Sequence, residues 1–283
     1  MLHPILNPSR SEPDFFPSPA PAPGRASSPV PSRAPYPPIA GYTPQQLMEC
    51  PAISNLCADR GMSPEQAKAC LEQNWERLRS YVQFFEDSRT DPDAGRYCPK
   101  PAVSAQSLAQ VCAGALLIER NDGFSARMML AKWSRESQFD LLARNGQFMG
   151  LAQLGFSLLE DIYERRPLIN DSLSVFGHPL LLPSSACLIP EGGEPLPLVM
   201  DGRINPKVGR PDYVRFISDA GHSMALSAMA LLDKMTYVKS LRYKNPRTFT
   251  RKDWTSLLQR YNAGGDPDYV RSVLGVFDRM PKL

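Results

Sequence analysis

Histidine is scarce in this 283-residue chain: only His3, His178 and His222 occur, and no HExxH pattern is present. A zinc hydrolase or a serine–histidine esterase needs imidazole beside a metal or a nucleophile, so both classes lose their basis. The six cysteines, at positions 50, 57, 70, 98, 112 and 187, show no metal-ligand spacing. The length of the chain argues against a small disulfide scaffold. No stretch approaches the ~20 apolar residues of a membrane span. The start, MLHPILNPSRSEPDFFPSP, has no charged residues followed by an apolar run, so no secretory signal is expected. A net charge of +3 does not point to nucleic acid, and it favours an anionic polymer only weakly.

Proline, by contrast, is abundant and unevenly spread. Twelve of the 29 prolines fall in the first 40 residues, among Ser, Ala and Gly. Such a segment buries too little apolar surface to offset its ordering entropy. Residues 1–42 are therefore expected to be disordered, either as a plain tail or as a docking segment for a larger machine. Order is expected from Thr43-Pro44, a cap followed by proline at the first helical position. In SPEQAKACLEQNWERLRSYVQFF, Ser63 and Gln66 form a capping box. Leu71, Trp75, Leu78, Val82 and Phe85 then draw one apolar stripe. Residues 43–99 thus read as a small helical module whose stripe packs on the rest of the chain.

Residues 100–283 read as a further, mainly α domain. Ser104 caps a helix with Leu108, Val111, Cys112, Ala115 and Leu116 on one face, and Asn121-Asp122-Gly123 ends it. A long buried helix carries Met224, Ala228, Leu231, Met235 and Val238. Thr250 and Asp253 open another, with Trp254, Leu257, Leu258 and Tyr261 inward, and Gly264-Gly265 is expected to stop it. Asp266-Pro267 starts the last helix, along which Val270, Val273, Leu274 and Phe277 recur. Between about 157 and 216, eight prolines and five glycines break the helical pattern. There LVMDGRI places Asp201-Gly202 between short apolar runs, a two-residue hairpin signal. No other segment of the folded part carries a strand pattern.

WSRESQFDLL supplies the candidate catalytic group. At 100° per residue, Met129, Trp133 and Glu136 share a narrow sector, so Glu136 continues an apolar stripe. A carboxylate against Trp and Met has its ionised form destabilised, as a general acid requires. The same spacing also fits a helix-end glutamate turned toward water. Further on come GLAQL (Gly150–Leu154) and RYNAGG (Arg260–Gly265). Taken in order, Glu136-Ser137-Gln138-Phe139, Gly150-Leu151-Ala152-Gln153 and Tyr261-Asn262-Ala263-Gly264 resemble the three motifs of the lytic transglycosylases with a soluble-transglycosylase catalytic domain. The resemblance covers about 104 to 280.

That resemblance implies a lysozyme-like α-helical catalytic domain with a small β-hairpin insertion. It implies Glu136 as catalytic acid/base, Gln153 beside the sugar, and Tyr261 facing the catalytic carboxyl. Ser137 and Asn262 match substrate-side motif positions. Three departures bear on substrate fit: Ala152 in place of methionine, NGQFMG in place of a small-residue turn, and Arg260 in place of alanine. The implied partner is the glycan strand of peptidoglycan, cut between N-acetylmuramic acid and N-acetylglucosamine to leave 1,6-anhydromuramoyl ends, with no metal and no cofactor. No second carboxylate stands out, since Asp140, Glu160, Asp161 and Asp219 all read as caps or solvated faces. A goose-type lysozyme, which hydrolyses the same bond, and a non-catalytic glycan-binding component remain open. A chain without a visible signal is expected to be made in the cytoplasm. It would then reach the cell wall as a component of a phage virion, or as a part or substrate of a secretion machine.

Overall fold

Side-chain caps decide where the first helices begin. Thr43 and Ser63 each accept from the backbone N–H of Gln46 and Gln66, whose side chains accept in return from the cap N–H groups. These boxes open α1 (Pro44–Met48) and α3 (Pro64–Gln73), with α2 (Pro51–Asp59) between them. The computed structural model describes residues 36–282 other than 92, 147, 165–168, 170–186, 189–195, 198, 201–202, 206–209 and 264. Residues 1–35 of the proline-rich segment therefore lie outside it. The chain is packed before Thr43: the Trp75 indole donates to Pro37 O at 2.9 Å, and Ile39 is buried. The expectation of disorder through residue 42 thus fails for 36–42, where the large Trp75 face supplies apolar burial.

The stripe from Leu71 to Phe85 is buried throughout. It runs over two helices rather than one, because α4 (Trp75–Asp87) starts after a break at Asn74. There the Asn74 side-chain amide donates to Cys70 O at 2.9 Å, sharing that acceptor with the Asn74 backbone N–H at 3.1 Å. A single turn, Gly95–Tyr97, leads to α5 (Ala105–Asp122), capped by Ser104, and then to α6 (Ala126–Ser137), which carries Glu136. Phe85 meets Phe139 edge-on with centroids 4.6 Å apart, so the 43–99 stripe packs directly beside the end of α6.

After α6 comes a sheet that the sequence does not announce. β1 (Arg144–Asn145), β2 (Phe148–Met149) and β3 (Leu154–Gly155) pair antiparallel, with Asn145 opposite Phe148 and Met149 opposite Leu154. Two-residue strands are too short for the alternation by which strands are read. Next follow α7 (Phe156–Glu164) and a second unannounced pair, β4 (Cys187–Leu188) with β5 (Leu196–Pro197). The strands of the expected hairpin are present, β6 (Val199–Met200) paired with β7 (Arg203–Ile204), and Asp201-Gly202 between them lie outside the described residues.

The chain ends with α8 (Arg210–Ser218), α9 (Ala220–Tyr237), α10 (Arg251–Asn262) and α11 (Tyr269–Arg279). Thr250 and Asp253 form the capping box of α10, and Ala263 ends that helix in the left-handed region at φ 46°. The stop therefore comes one residue before the expected glycines, and Gly264 lies outside the described residues. The fold is mainly helical. One apolar core joins Leu56 and Trp75 to Trp133, Met224 and Trp254, so the helices of 44–87 share it with those of 105–279. Among the described residues, no helix is long and apolar enough to cross a membrane.

Helix α9 lies along the middle of this core, and α2 approaches its first turn almost backbone to backbone. The Asn55 amide donates to Asp219 Oδ2 at 3.0 Å, and a Cβ added at Gly221 would stand 2.3 Å from Ala52 O and 2.8 Å from Leu56 N. Backbone cannot move aside as a side chain can. At Gly114 an added Cβ meets the flexible thioether of Met224 first. Gly221→Ala is expected to cost at least about 2 kcal/mol of stability and Gly114→Ala clearly less. Urea unfolding of the two variants checks this, and equal costs would contradict the α2–α9 packing.

Candidate active site

Helix α6 is anchored at both ends. Glu119 of α5 accepts the Ala126 N–H at 2.6 Å, a carboxylate at the helix N-terminus where the helix dipole favours it. Arg77 of α4 grips the same carboxylate at 3.0 and 3.1 Å. At the other end Gln138 and Phe139 both take left-handed backbone, φ 54° and 63°, and turn the chain sharply. Left-handed conformation costs roughly 1–2 kcal/mol per residue, which the burial of Phe139 offsets. Glu136 therefore leaves the last turn of a fixed helix with its side chain only 14% exposed.

Its surroundings are polar as well as apolar. Tyr269, the first residue of α11, donates its hydroxyl to Glu136 Oε1 at 2.6 Å. The Lys132 ammonium, one turn back on α6, stands 3.9 Å from the same oxygen and 3.8 Å from the centre of the Tyr261 ring. Tyr261 and Tyr269 stack at 6.3 Å with an interplanar angle of 16°. Burial raises both phenols well above their ordinary range, with the charge of Glu136 adding to it, so both hydroxyls stay protonated. Burial lowers Lys132 from 10.5 to about 8, with Glu136 pulling the other way.

A cavity of about 310 Å³ opens in front of Glu136, bordered by Arg135, Arg144, Asn145, Gln153 and Lys100. Gln153 is held at φ 48°, and its amide donates to Ala143 O at 3.1 Å and Gly150 O at 2.9 Å, which fixes the β2–β3 turn against the cleft. Gly150 serves this turn for two reasons. Its φ is 76°, and an added Cβ would meet Ile217 Cγ1 at 2.8 Å.

The other expected residues are placed differently. Ser137 borders the same cavity as Glu136, but it is mostly buried and its hydroxyl donates inward to Trp133 O at 3.2 Å. Tyr261 was expected to face the catalytic carboxyl. Its hydroxyl instead donates to Ala152 O at 2.7 Å, and Tyr269 takes the place against Glu136. The Asn262 amide donates to Asp266 O at 2.8 Å and holds the α10–α11 turn that delivers Tyr269. Ala152 is fully buried, and Arg260 lies over the Tyr237 ring at 4.2 Å, turned to another surface. Asp140 pairs with Lys100 at 2.7 Å and caps Leu142, while Asp219 caps His222.

Lys132 and Tyr269 are the residues that the motifs do not reveal. Lys132 lies four residues before Glu136, an ordinary helix ion-pair spacing that says nothing of burial. Tyr269 follows the third motif by one short turn. Other chemistries find little footing. Among the described residues no group of three or more His, Cys, Asp or Glu could hold a metal ion. Burial raises the Cys57 thiol to about 11 and the Cys112 thiol further, so neither offers a thiolate near neutral pH.

The lowered Lys132 pKa makes a stability prediction. Between about pH 8 and 10.5 the unfolded chain holds a proton on this group that the folded chain has lost, so stability from this group rises with pH across that window. Below pH 8 the folded state carries the full penalty, roughly 3 kcal/mol. Lys132→Met is expected to raise the thermal midpoint at pH 7 and to flatten that alkaline rise. A lower midpoint in the variant would contradict the burial of the charge.

Comparison of the chain with protein-family models, with curated proteins and with solved structures finds no match in any of the three.

Proposed function

We propose that the chain is a peptidoglycan lytic transglycosylase on a lysozyme-like helical frame, with Glu136 as its acid/base. The observation that carries this reading is a carboxyl at the floor of a cleft with its two oxygens in unlike settings. Oε1 is bound by Tyr269 in front of a buried ammonium, and Oε2 makes no hydrogen bond among the described residues. Among the described residues no second carboxylate borders the same cavity. Ordinary glycosidases need two, about 5–5.5 Å or ~6.5–9.5 Å apart, so a lone carboxyl favours a substrate-assisted route.

In that route Glu136 gives its proton to the oxygen leaving between N-acetylmuramic acid and N-acetylglucosamine. The substrate's own N-acetyl group stabilises the cation that forms. The Glu136 carboxylate then takes the proton of the muramoyl 6-hydroxyl as that oxygen closes on the anomeric carbon, giving the 1,6-anhydro end. Gln153 shapes the cleft wall, and Arg144 offers a cationic partner to an anionic glycan strand, while Arg135 and Lys100 are already paired with Asp266 and Asp140. Ser137 and Asn262 act through the backbone geometry they hold, and no metal or cofactor has a step. The proline-rich residues before 36 suit passage through the narrow channel of a phage or secretion machine.

Glu136→Gln is expected to lower turnover on purified sacculi by at least ~10²-fold in a variant that still folds, since the amide keeps the shape and loses the proton. Wild-type turnover in the folded variant would overturn the assignment. The mass of the wild-type product separates the related chemistries, because anhydro ends mark the transglycosylase and reducing ends a lysozyme-like hydrolase. A folded wild type that binds sacculi and cuts nothing would make the chain a glycan-binding component.

A further inference from the structure

Lys132 is 1% exposed, and its ammonium makes no hydrogen bond among the described residues. Burying a charge without a direct acceptor is costly, and the chain does so within 3.9 Å of the carboxyl at the cleft. We propose that Lys132 is a positioning residue of the acid/base site, a fixed counter-charge behind Glu136 on the side away from the substrate. This rests on the reading of Glu136 as acid/base.

The geometry separates this role from that of a proton carrier or a plain salt bridge. At 3.9 Å the ammonium is too far from Oε1 for a hydrogen bond, and Tyr269 already donates to that oxygen at 2.6 Å. The ammonium is held instead on the face of the Tyr261 ring, 3.8 Å from its centre. That ring is fixed by its hydroxyl bond to Ala152 O and by its stack on Tyr269. Lys132 therefore acts on Glu136 through space and keeps its own proton throughout the cycle. When the glycosidic C–O bond breaks and Glu136 loses its proton to the leaving oxygen, the new carboxylate forms beside a positive charge in a poorly solvated place. When the carboxylate takes the 6-hydroxyl proton, the starting state returns, a neutral carboxyl beside the ammonium. Preorganised charge of this kind favours the state in which charge has developed and costs no reorganisation as the reaction proceeds.

The titratable groups around the ammonium are Glu136 on its own helix, Tyr261 from α10 and Tyr269 from α11, with Tyr213 of α8 acting on Tyr261 from behind. The phenols are raised far out of the working range, so among these groups Glu136 is the one that carries a charge facing the ammonium.

The test compares pH profiles of kcat and kcat/KM on sacculi for wild type, Lys132→Met and Lys132→Gln. Loss of a cation at this distance is expected to move the alkaline limb to higher pH. The plateau of kcat is expected to fall about tenfold, because Glu136 becomes a weaker acid. A merely structural lysine would change the plateau and leave the limb where it is, and that result overturns the proposal. A second measurement needs no catalysis: NMR titration of the Lys132 side chain in wild type and in Glu136→Gln. Its midpoint, about 8 in wild type, is expected to fall in the variant, since the Glu136 charge that holds it up is gone. An unchanged midpoint overturns the coupling even where glycans are cut. A lowered midpoint in a chain that cuts no glycan leaves the coupling standing and overturns the transglycosylase reading alone.

Discussion

Helix α6 has almost no free surface, and the rest of the site follows from where its last turn is forced to lie. Its start is held by the Glu119 carboxylate, which Arg77 fixes from a third helix. Its end is held by backbone: Lys100 N–H donates to Gln138 O at 3.1 Å, and the Gln138 amide donates to Cys98 O at 3.0 Å. Between these ends, Met128, Met129, Leu130, Trp133 and Ser134 are buried. A helix so confined cannot rotate to put Glu136 into water, and only the last turn meets the cleft. The aromatic stripe of α3 and α4 belongs to this constraint, because Phe85 backs Phe139 where the chain doubles away from the helix.

Helices α10 and α11 complete the site through the turn between them. The Asn262 amide bonds Asp266 O, Arg135 of α6 pairs with the Asp266 carboxylate, and Arg135 Nε donates to Ser272 Oγ at 3.2 Å. Arg135, adjacent to Glu136 in sequence, thus ties the catalytic-candidate helix to the one that begins with Tyr269. The position of the Tyr269 hydroxyl is therefore set by the neighbour of the residue it serves. The Tyr261–Tyr269 stack continues this frame and gives the Lys132 ammonium an aromatic face where no oxygen accepts from it.

The sequence carried the helical frame well, because its signals there are local. The capping boxes at Thr43, Ser63 and Thr250 each involve residues three apart, and each opens a helix in the structure. The Asp201-Gly202 hairpin is equally local. What stayed hidden depends on contacts distant in sequence or on side-chain competition. The β1–β2–β3 sheet has two residues per strand and no alternation to read. Asn74 breaks a helix whose apolar stripe continues unbroken. The Pro37 carbonyl finds the Trp75 indole across a long separation, against the local composition. Within the site, Glu136 and Gln153 do share one cavity. Motif position alone could not give the Tyr261 hydroxyl its direction, since that depends on the Ala152 carbonyl, which the turn at Gly150 puts in place.

Lysine at 132 is the point where stability and the proposed chemistry pull apart. Met128, Met129 and Leu130 on α6 are apolar, the Trp133 indole is satisfied by Ser227 Oγ at 2.9 Å, and a methionine at 132 would fill similar volume with no charge to desolvate. The ammonium lowers stability and contributes nothing to the helix that propensity would not supply. Among the described residues its ion-pair partner is a carboxyl whose other oxygen has no hydrogen-bond partner. A charge in that position favours proton release from Glu136 and opposes its return, so it would favour an acid that must release its proton in the first half of a reaction. A carboxyl that served only as a hydrogen-bond acceptor for a sugar hydroxyl would gain nothing from this asymmetry. The pairing of a costly buried cation with a half-engaged carboxyl is therefore better suited to proton transfer than to binding alone.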